Sequence, residues 1–251
     1  MRLVRFLLDG EPRYGDEVGD AIHVLAGDPF DAARRTGRTI PAEDARRLAP
    51  CRPSKVLAVG RNFRSHLGGR DAPAEPGLFA KMPTSIIGPD GEIVIPADAG
   101  EVHYEGELVV VIGRRTTRVD AKEARDNIFG VTAGNDVSER RWQRDDLQWL
   151  RAKGSDTFGP LGPAIVTDLD PGDLAIETRL NGSVVQSERS RDLIFPVEEI
   201  VSFASRYVTL EPGDVIYTGT PGTTAALTPG DVVEVEVEGV GTLRNRVSRG
   251  R

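Results

Sequence analysis

The segment His103-Tyr104-Glu105-Gly106-Glu107-Leu108-Val109-Val110-Val111-Ile112 carries two carboxylates two positions apart, just ahead of an unbroken apolar run. On an extended chain, residues two apart point the same way, so Glu105 and Glu107 project from one face. The apolar run that follows marks a strand entering a core. Two carboxylates at the edge of a core repel each other, and burial raises the cost. A hard divalent cation relieves both problems by accepting oxygen ligands. The same spacing also suits a solvated strand face, and this chain has such a face at Glu234, Glu236 and Glu238. A third acid, Asp136, ends the apolar stretch Ile128 to Asn135 at the mouth of an expected helix. It serves there either as a helix cap or as the third oxygen ligand of a Mg²⁺-type site. Such a site keeps positions for water and substrate.

Two further residues have the right chemistry. Lys153 lies in Trp149-Leu150-Arg151-Ala152-Lys153-Gly154-Ser155-Asp156, a stretch that reads as a turn-rich loop. Folded against a metal, its charge stabilises a developing oxyanion or enolate; otherwise it is a solvated lysine. His66 sits in the polar loop Gly60-Arg61-Asn62-Phe63-Arg64-Ser65-His66, just after an expected strand. At the rim of a metal site it is the group whose ordinary pKa suits proton transfer near neutrality.

The elements that must position these residues are mostly strands. Val56 to Val59, Ile93 to Ile95, Leu108 to Ile112, Ile128 to Ala133, Ala164 to Val166 and Val215 to Thr218 are short apolar runs ended by Gly, Pro or Asp. Val233 to Glu238 alternates strictly, valines on one face and glutamates on the other. Helices are expected over Asp120 to Asn127, Ser138 to about Leu150, and Val197 to Tyr207. In the last, Ile200, Phe203, Ala204 and Tyr207 share a face. Residues 1–50 read as a small N-terminal α/β unit: strands at Leu3 to Leu8 and Ala21 to Leu25, an Asp9-Gly10 turn, and helical potential between Asp28 and Leu48. Pro50-Cys51-Arg52-Pro53 reads as a linker to a second domain over 53–251. The fold class is therefore α+β, rich in β.

A chain of 251 residues with 39% hydrophobic and 28% charged residues suits one substantial domain with an appendage. A formal net charge of −7 speaks against nucleic acid or a membrane surface as partner. One cysteine excludes an internal disulfide and a thiolate zinc cluster. Neither a signal peptide nor a run of about 20 apolar residues is present, so a cytoplasmic location is expected.

Several motifs resemble the fumarylacetoacetate hydrolase family: Gly60-x-Asn62-Phe63-x-x-His66, Phe79-x-Lys81-x-Pro83-x-Ser85, Tyr104-Glu105-x-Glu107-Leu108, and Asn135-Asp136-Val137-Ser138. Lys153-x-x-Asp156-Thr157-Phe158-x-Pro160, Thr218-Gly219-Thr220-Pro221 and Gly230-Asp231-Val232-Val233-Glu234 follow in family order. The resemblance spans about residues 53–248, and the first 50 resemble the N-terminal unit of bacterial hydroxyheptadienedioate isomerases and acylpyruvate hydrolases. It implies the family's β-rich fold, a homodimer, and Mg²⁺ or Mn²⁺ on Glu105, Glu107 and Asp136. It also implies that Arg140, Gln143 and Thr220 bind the substrate, a small 2-oxo acid, and that His66 and Lys153 are catalytic. Enolate charge beside the cation and Lys153 serves C–C hydrolysis, decarboxylation and isomerisation alike. Hydrolysis of an acylpyruvate is the leading expectation. The alternative is an isomerase or decarboxylase of a 2-oxo or 2-hydroxydienoic diacid, and a third reading is a member that only binds its metabolite. Two positions depart from the pattern. Family hydrolases often place a glutamate three residues after the loop histidine, where this chain has Gly69. After Thr220 it reads Pro221-Gly222-Thr223-Thr224-Ala225, where the family more often has an Ala-Gly-Val-Gly-like run.

Overall fold

Strict alternation in Val232–Val237 becomes a strand whose Val233, Val235 and Val237 are buried while Glu234 and Glu236 lie half-exposed. Burying a valine is worth about 1.5–3 kcal/mol, and a one-residue slip would exchange the three valines for glutamates. The register is thereby fixed within a five-stranded sheet, in the order Ser183–Arg189, Ala175–Leu180, Val232–Val237, Gly241–Arg249, Glu92–Ile95. The computed structural model describes residues 1–250.

The continuous apolar runs form the larger sheet, since a strand covered on both faces has no polar side to show. Its path runs from Arg34–Pro41 through Ala21–Ala26, Glu11–Val18 and Arg2–Leu8 to Gly159–Val166 and Ile128–Asn135. It continues through Gly106–Ile112, Val215–Tyr217 and Val56–Gly60 to Gly77–Lys81. Leu108, Val110 and Ile112 of this sheet meet Val235 and Val237 of the smaller one in a common core. The helix Val197–Tyr207 packs on the same core through Val197, Ile200, Val201 and Ala204, an i, i+3, i+4, i+7 set. Tyr207, expected on that face, is exposed instead and stacks edge-on against Phe203 at 5.3 Å. Within the described residues, no helix is long and apolar enough to cross a membrane.

Two stretches differ from expectation. Between Asp28 and Leu48, where helical potential was read, the chain forms the strands Arg34–Pro41 and Arg46–Leu48 with one 3-10 turn at Ala42–Asp44. Residues 1–50 therefore contain strands and no α-helix. Arg34, Arg35 and Arg38 are exposed on an edge strand, where charge discourages pairing with other chains; that is why the composition imitated a helix surface. The Asp9-Gly10 turn forms as read, with both residues left-handed at φ 54° and 81°. Arg2–Leu8 pairs with Gly159–Val166 (Leu3 opposite Ile165), so the large sheet runs unbroken across both parts of the chain.

The helix expected from Ser138 to Leu150 is interrupted. Ser138–Glu139 pairs with Val102–His103, Arg140–Asp145 is helical, and a second short helix spans Leu150–Gly154. Glu139 caps the first by accepting the Trp142 amide, and Asp146 ends it in an extended conformation. The consequence matters for function: Lys153 lies on a helix, its amide bonded to the Trp149 carbonyl at 2.9 Å, and not in a loop.

Candidate metal centre

Register brings the acids together. In the ladder between Gly106–Ile112 and Ile128–Asn135, Gly106 stands opposite Asn135 and Glu107 opposite Gly134. Beyond the ladder's end, the Glu105 amide donates to Asn135 Oδ1 at 2.9 Å and the Asp136 amide donates to the Glu105 carbonyl at 2.8 Å. Residues about thirty positions apart thus become neighbours. Potential ligand oxygens of Glu105, Glu107 and Asp136 all lie within 4.8 Å of one another, and all three side chains are buried. Gly106 makes the pair possible. On the opposite face, a Cβ at this position would lie 1.9 Å from Thr178 Oγ1 in the second sheet. Only glycine lets the strand lie this close while both flanking glutamates turn inward.

Cations surround the acids unequally. Lys153 Nζ donates to Glu105 Oε2 and to Asp136 Oδ2, each at 2.7 Å. Lys81 Nζ, 2% exposed as a residue, donates to Asp136 Oδ1 at 2.6 Å and to the Lys153 carbonyl. Arg140 pairs with Glu105 Oε1 at 2.6 Å. Burial opposes ionisation of Glu105, but the charges of Lys153 and Arg140 overcome it and hold its carboxyl well below the usual range. Burial works against the Lys153 ammonium too, and Asp136 and Glu105 more than offset it. Among the described residues Glu107 has no such partner. It accepts one backbone N–H, from Gly219 at 2.7 Å, and burial together with the Asp136 and Glu105 charges pushes its carboxyl well above its ordinary range. Three convergent buried carboxylates, one of them without a cation among the described residues, form an oxygen donor set that can hold a divalent metal ion.

A cavity of about 440 Å³ opens over this cluster. Its wall includes the three acids, Lys153, His66, Arg140, Gln143 and Thr220, so every candidate site residue lies around one cavity. His66 is placed by its motif. Asn62 is buried and clamps the loop, donating to the Thr218 carbonyl at 2.8 Å and accepting from the Phe195 amide at 2.8 Å, while Phe63 is buried in the core. His66 Nδ1 lies 2.7 Å from the Gly222 carbonyl. A carbonyl only accepts, so Nδ1 is the donor there, and Nε2 is the ring nitrogen left to exchange a proton. Thr220 spends its hydroxyl on scaffolding, donating to the Gly106 carbonyl at 2.9 Å and accepting from Gln186 at 2.8 Å.

The family model for the fumarylacetoacetate (FAA) hydrolase C-terminal domain matches residues 55–248, and an Rv2993c-like N-terminal model matches residues 1–50. The chain belongs to the fumarylacetoacetate hydrolase family. It is 48% identical to protein Rv2993c of Mycobacterium tuberculosis, over 96% of this chain and 92% of that protein. It is 41% identical to the mitochondrial oxaloacetate tautomerase FAHD2A of Homo sapiens, over 83% of this chain and 71% of that one. Among solved structures, 5-carboxymethyl-2-hydroxymuconate delta-isomerase from Mycobacterium smegmatis superposes with a TM-score of 0.94 at 46% identity, all of both chains covered. Maleylpyruvate hydrolase from Sphingobium sp. SYK-6, in complex with manganese(II) and pyruvate, does so with a TM-score of 0.84 at 28% identity, again over both whole chains.

Several residues of this family member escaped the sequence reading. Lys81 was visible in its motif without a role; the structure bonds it directly to Asp136. The divergent loop after Thr220 bonds directly to candidate site residues. Gly222 accepts from His66, its amide bonds Ser65 Oγ at 2.9 Å, and Thr224 Oγ1 accepts from Arg140 at 2.8 Å. Backbone carbonyls and single hydroxyls have no residue-type signature, so no pattern could have announced them. Phe79, Trp149, Arg61 and Arg70 also line the cavity.

Proposed function

We propose that this chain is a divalent-metal-dependent isomerase of a small 2-oxo acid, acting by proton transfer between keto and enol or between double-bond isomers. Glu105, Glu107 and Asp136 are the residues that would hold Mg²⁺ or Mn²⁺, and the cation would supply Lewis-acid charge to the 2-oxo acid. Removing a proton from the carbon beside the 2-oxo group leaves an enolate. Lys153, buried among the acids, is placed to stabilise that negative charge. His66 Nε2 is the base that takes the proton and returns it. Arg140, held by Gln143 at 2.8 Å and by Thr224, orients the oxo-acid end.

The observation that carries isomerisation over hydrolysis is the partner of His66. Hydrolases of the family often pair the loop histidine with a glutamate three residues on to position the attacking water; here a backbone carbonyl occupies Nδ1, and Gly69 offers no acid. The names of the relatives agree in direction, since the tautomerase and the delta-isomerase share 41% and 46% identity with this chain and the maleylpyruvate hydrolase 28%. The second reading is acylpyruvate hydrolysis, favoured by that hydrolase's shared fold. Oxaloacetate tautomerisation and acylpyruvate hydrolysis, followed side by side with Mg²⁺ and Mn²⁺, decide between them. Tautomerisation is expected to be faster by at least about a hundredfold, the usual worth of a positioned general base. Hydrolysis at ordinary enzyme rates, about 1–10³ s⁻¹, would refute the proposal.

A further inference from the structure

The strand Ser183–Arg189 forms one edge of the smaller sheet, and Gln186 is the one residue of it that is buried, at 4% exposure. An edge strand usually gives its inward position to an aliphatic or aromatic side chain, because a buried amide is costly unless its polar atoms find partners. Here every partner belongs to the site described above. The Gly106 amide donates to Gln186 Oε1 at 3.2 Å, and Gln186 Nε2 donates to Thr220 Oγ1 at 2.8 Å and to the Pro221 carbonyl. Gly106 stands between the two glutamates, and Thr220 and Pro221 open the loop that reaches His66.

These donors and acceptors fix one another. A backbone N–H only donates and a carbonyl only accepts, so Oε1 must face Gly106 and Nε2 must face Pro221; the amide cannot be turned over. Thr220 Oγ1 donates to the Gly106 carbonyl at 2.9 Å, which closes a ring from Gly106 through Gln186 and Thr220 back to Gly106. The N–H and the C=O of the residue between Glu105 and Glu107 are both engaged in it. The same side chain reaches towards His66. The Pro221–Gly222 peptide is held at its oxygen by Gln186 and at its nitrogen by Ser65 Oγ, 2.9 Å away. Gly222, left-handed at φ 59°, then turns its carbonyl to His66 Nδ1. Just ahead in the same run, the Gly219 amide holds Glu107.

We propose that Gln186 is a positioning residue for this site: its amide sets the strand carrying Glu105 and Glu107 against the 219–222 run, and through Gly222 it sets the His66 imidazole. Gln186 does not line the cavity, so it acts only through the backbone groups and the hydroxyl it holds. An apolar side chain of the same length would fill the space but leave those groups to find other partners, and the strand and the loop would lose their common anchor. The proposal rests on the reading of the three acids as a metal centre.

Calorimetric Mn²⁺ titration and amide hydrogen exchange of the metal-free protein test it on Gln186→Met, which keeps the length and removes the amide. Mn²⁺ affinity is expected to fall about 10–100-fold, and the Gly222 amide to exchange about tenfold faster. Thr220→Val opens the ring from the other side and should lower Mn²⁺ affinity to a similar extent, whereas Thr220→Ser keeps the hydroxyl and should stay within about threefold of the wild type. No substrate is present, so the place of Thr220 on the cavity wall does not enter. With Gln186→Met and Thr220→Val together, the loss should not exceed the larger single loss, because an open ring cannot be opened twice. Wild-type Mn²⁺ affinity or wild-type Gly222 exchange in Gln186→Met would overturn the proposal even if the variant melts lower, since lowered melting alone is the mark of a merely structural residue. Losses that multiply in the double variant would overturn it too. If Gln186→Met fails to fold, equal Mn²⁺ affinities for Thr220→Val and Thr220→Ser would do the same. A wild type that binds no Mn²⁺ would take away the metal-centre reading, and this proposal with it.

Discussion

Gly106→Ala adds one methyl group at the point where the two sheets come closest. The new Cβ would lie 1.9 Å from Thr178 Oγ1, 3.2 Å from Thr178 Cβ and 3.3 Å from Val235 Cγ1. Thr178 is fully buried in a strand and β-branched, so its hydroxyl has little freedom to swing aside. Overpacking of this kind costs about 1–3 kcal/mol, offset by roughly 0.4–1 kcal/mol because alanine restricts the unfolded chain. At about 2–4 °C per kcal/mol for a chain of this size, the melting temperature should fall by roughly 5 °C. The displacement also moves Glu105 and Glu107 relative to Asp136, so Mn²⁺ affinity should fall about 10–100-fold, as for other groups that orient metal ligands. Thr178→Ala supplies the internal control. Thr178 Oγ1 is buried without a hydrogen-bond partner among the described residues, so removing it should cost little by itself. In the double variant it should recover at least half of both losses. Thermal melting of the metal-free protein and calorimetric Mn²⁺ titration read the two effects separately. A Gly106→Ala protein with wild-type melting temperature and wild-type metal affinity would refute the reasoning.

Lys81→Met leaves Asp136 with one of its two cations gone; breaking a buried pair costs about 3–5 kcal/mol, and Mn²⁺ should restore more melting temperature to the variant than to the wild type. Equal metal-induced shifts would count against a charge role for Lys81. Lys153→Met should lower kcat of oxaloacetate tautomerisation far more than it raises KM, because its contact with substrate charge strengthens in the transition state. A change confined to KM would make it a binding residue. In the metal-free protein the Glu107 carboxyl is raised by burial and by Asp136 and Glu105, so it favours folding below its unfolded pKa of about 4.5 and loses that contribution as pH rises towards its folded value. Glu105, depressed, contributes in the opposite sense, and its contribution is lost as pH falls below about 4.5. Glu107→Gln should therefore flatten the decline on the alkaline side of that point and leave the acid limb, as read by urea unfolding across pH.

The strands that carry the site were legible because each is specified by its own residues. The run Leu108 to Ile112 is apolar throughout and fully buried, and the valine–glutamate alternation at 232–237 reports one buried face directly. The arginine-rich stretch at 34–41 was not legible as strand, because its identity comes from the partner it pairs with, Ala21–Ala26, and not from a pattern of its own. Lys153 was misplaced in a loop for a similar reason. Its helix spans five residues, Leu150–Gly154, too short to show a periodicity, and is stabilised by packing: Ala152 is fully buried.

The site divides along the same line. Glu105 and Glu107 announce themselves because both carboxylates stand on one strand, where spacing alone makes them neighbours. Asp136 joins them through a ladder register, which a sequence suggests only by the way two apolar runs end in acids. Lys81 and Thr224 reach the site across folds of the chain, at separations of 55 positions from Asp136 and 84 from Arg140. No local pattern records such contacts. Gly69 shows what a sequence can mislead about. As a letter it reads as a missing carboxylate, and only the left-handed backbone at 68–69 reveals a turn that calls for glycine. A glutamate placed there would meet open space but would have to hold φ near 83°, so the backbone itself resists the hydrolase arrangement. Converting this chain to a hydrolase therefore calls for rebuilding the turn from Leu67 to Arg70 as well as adding the acid, and Gly69→Glu alone should leave acylpyruvate hydrolysis low.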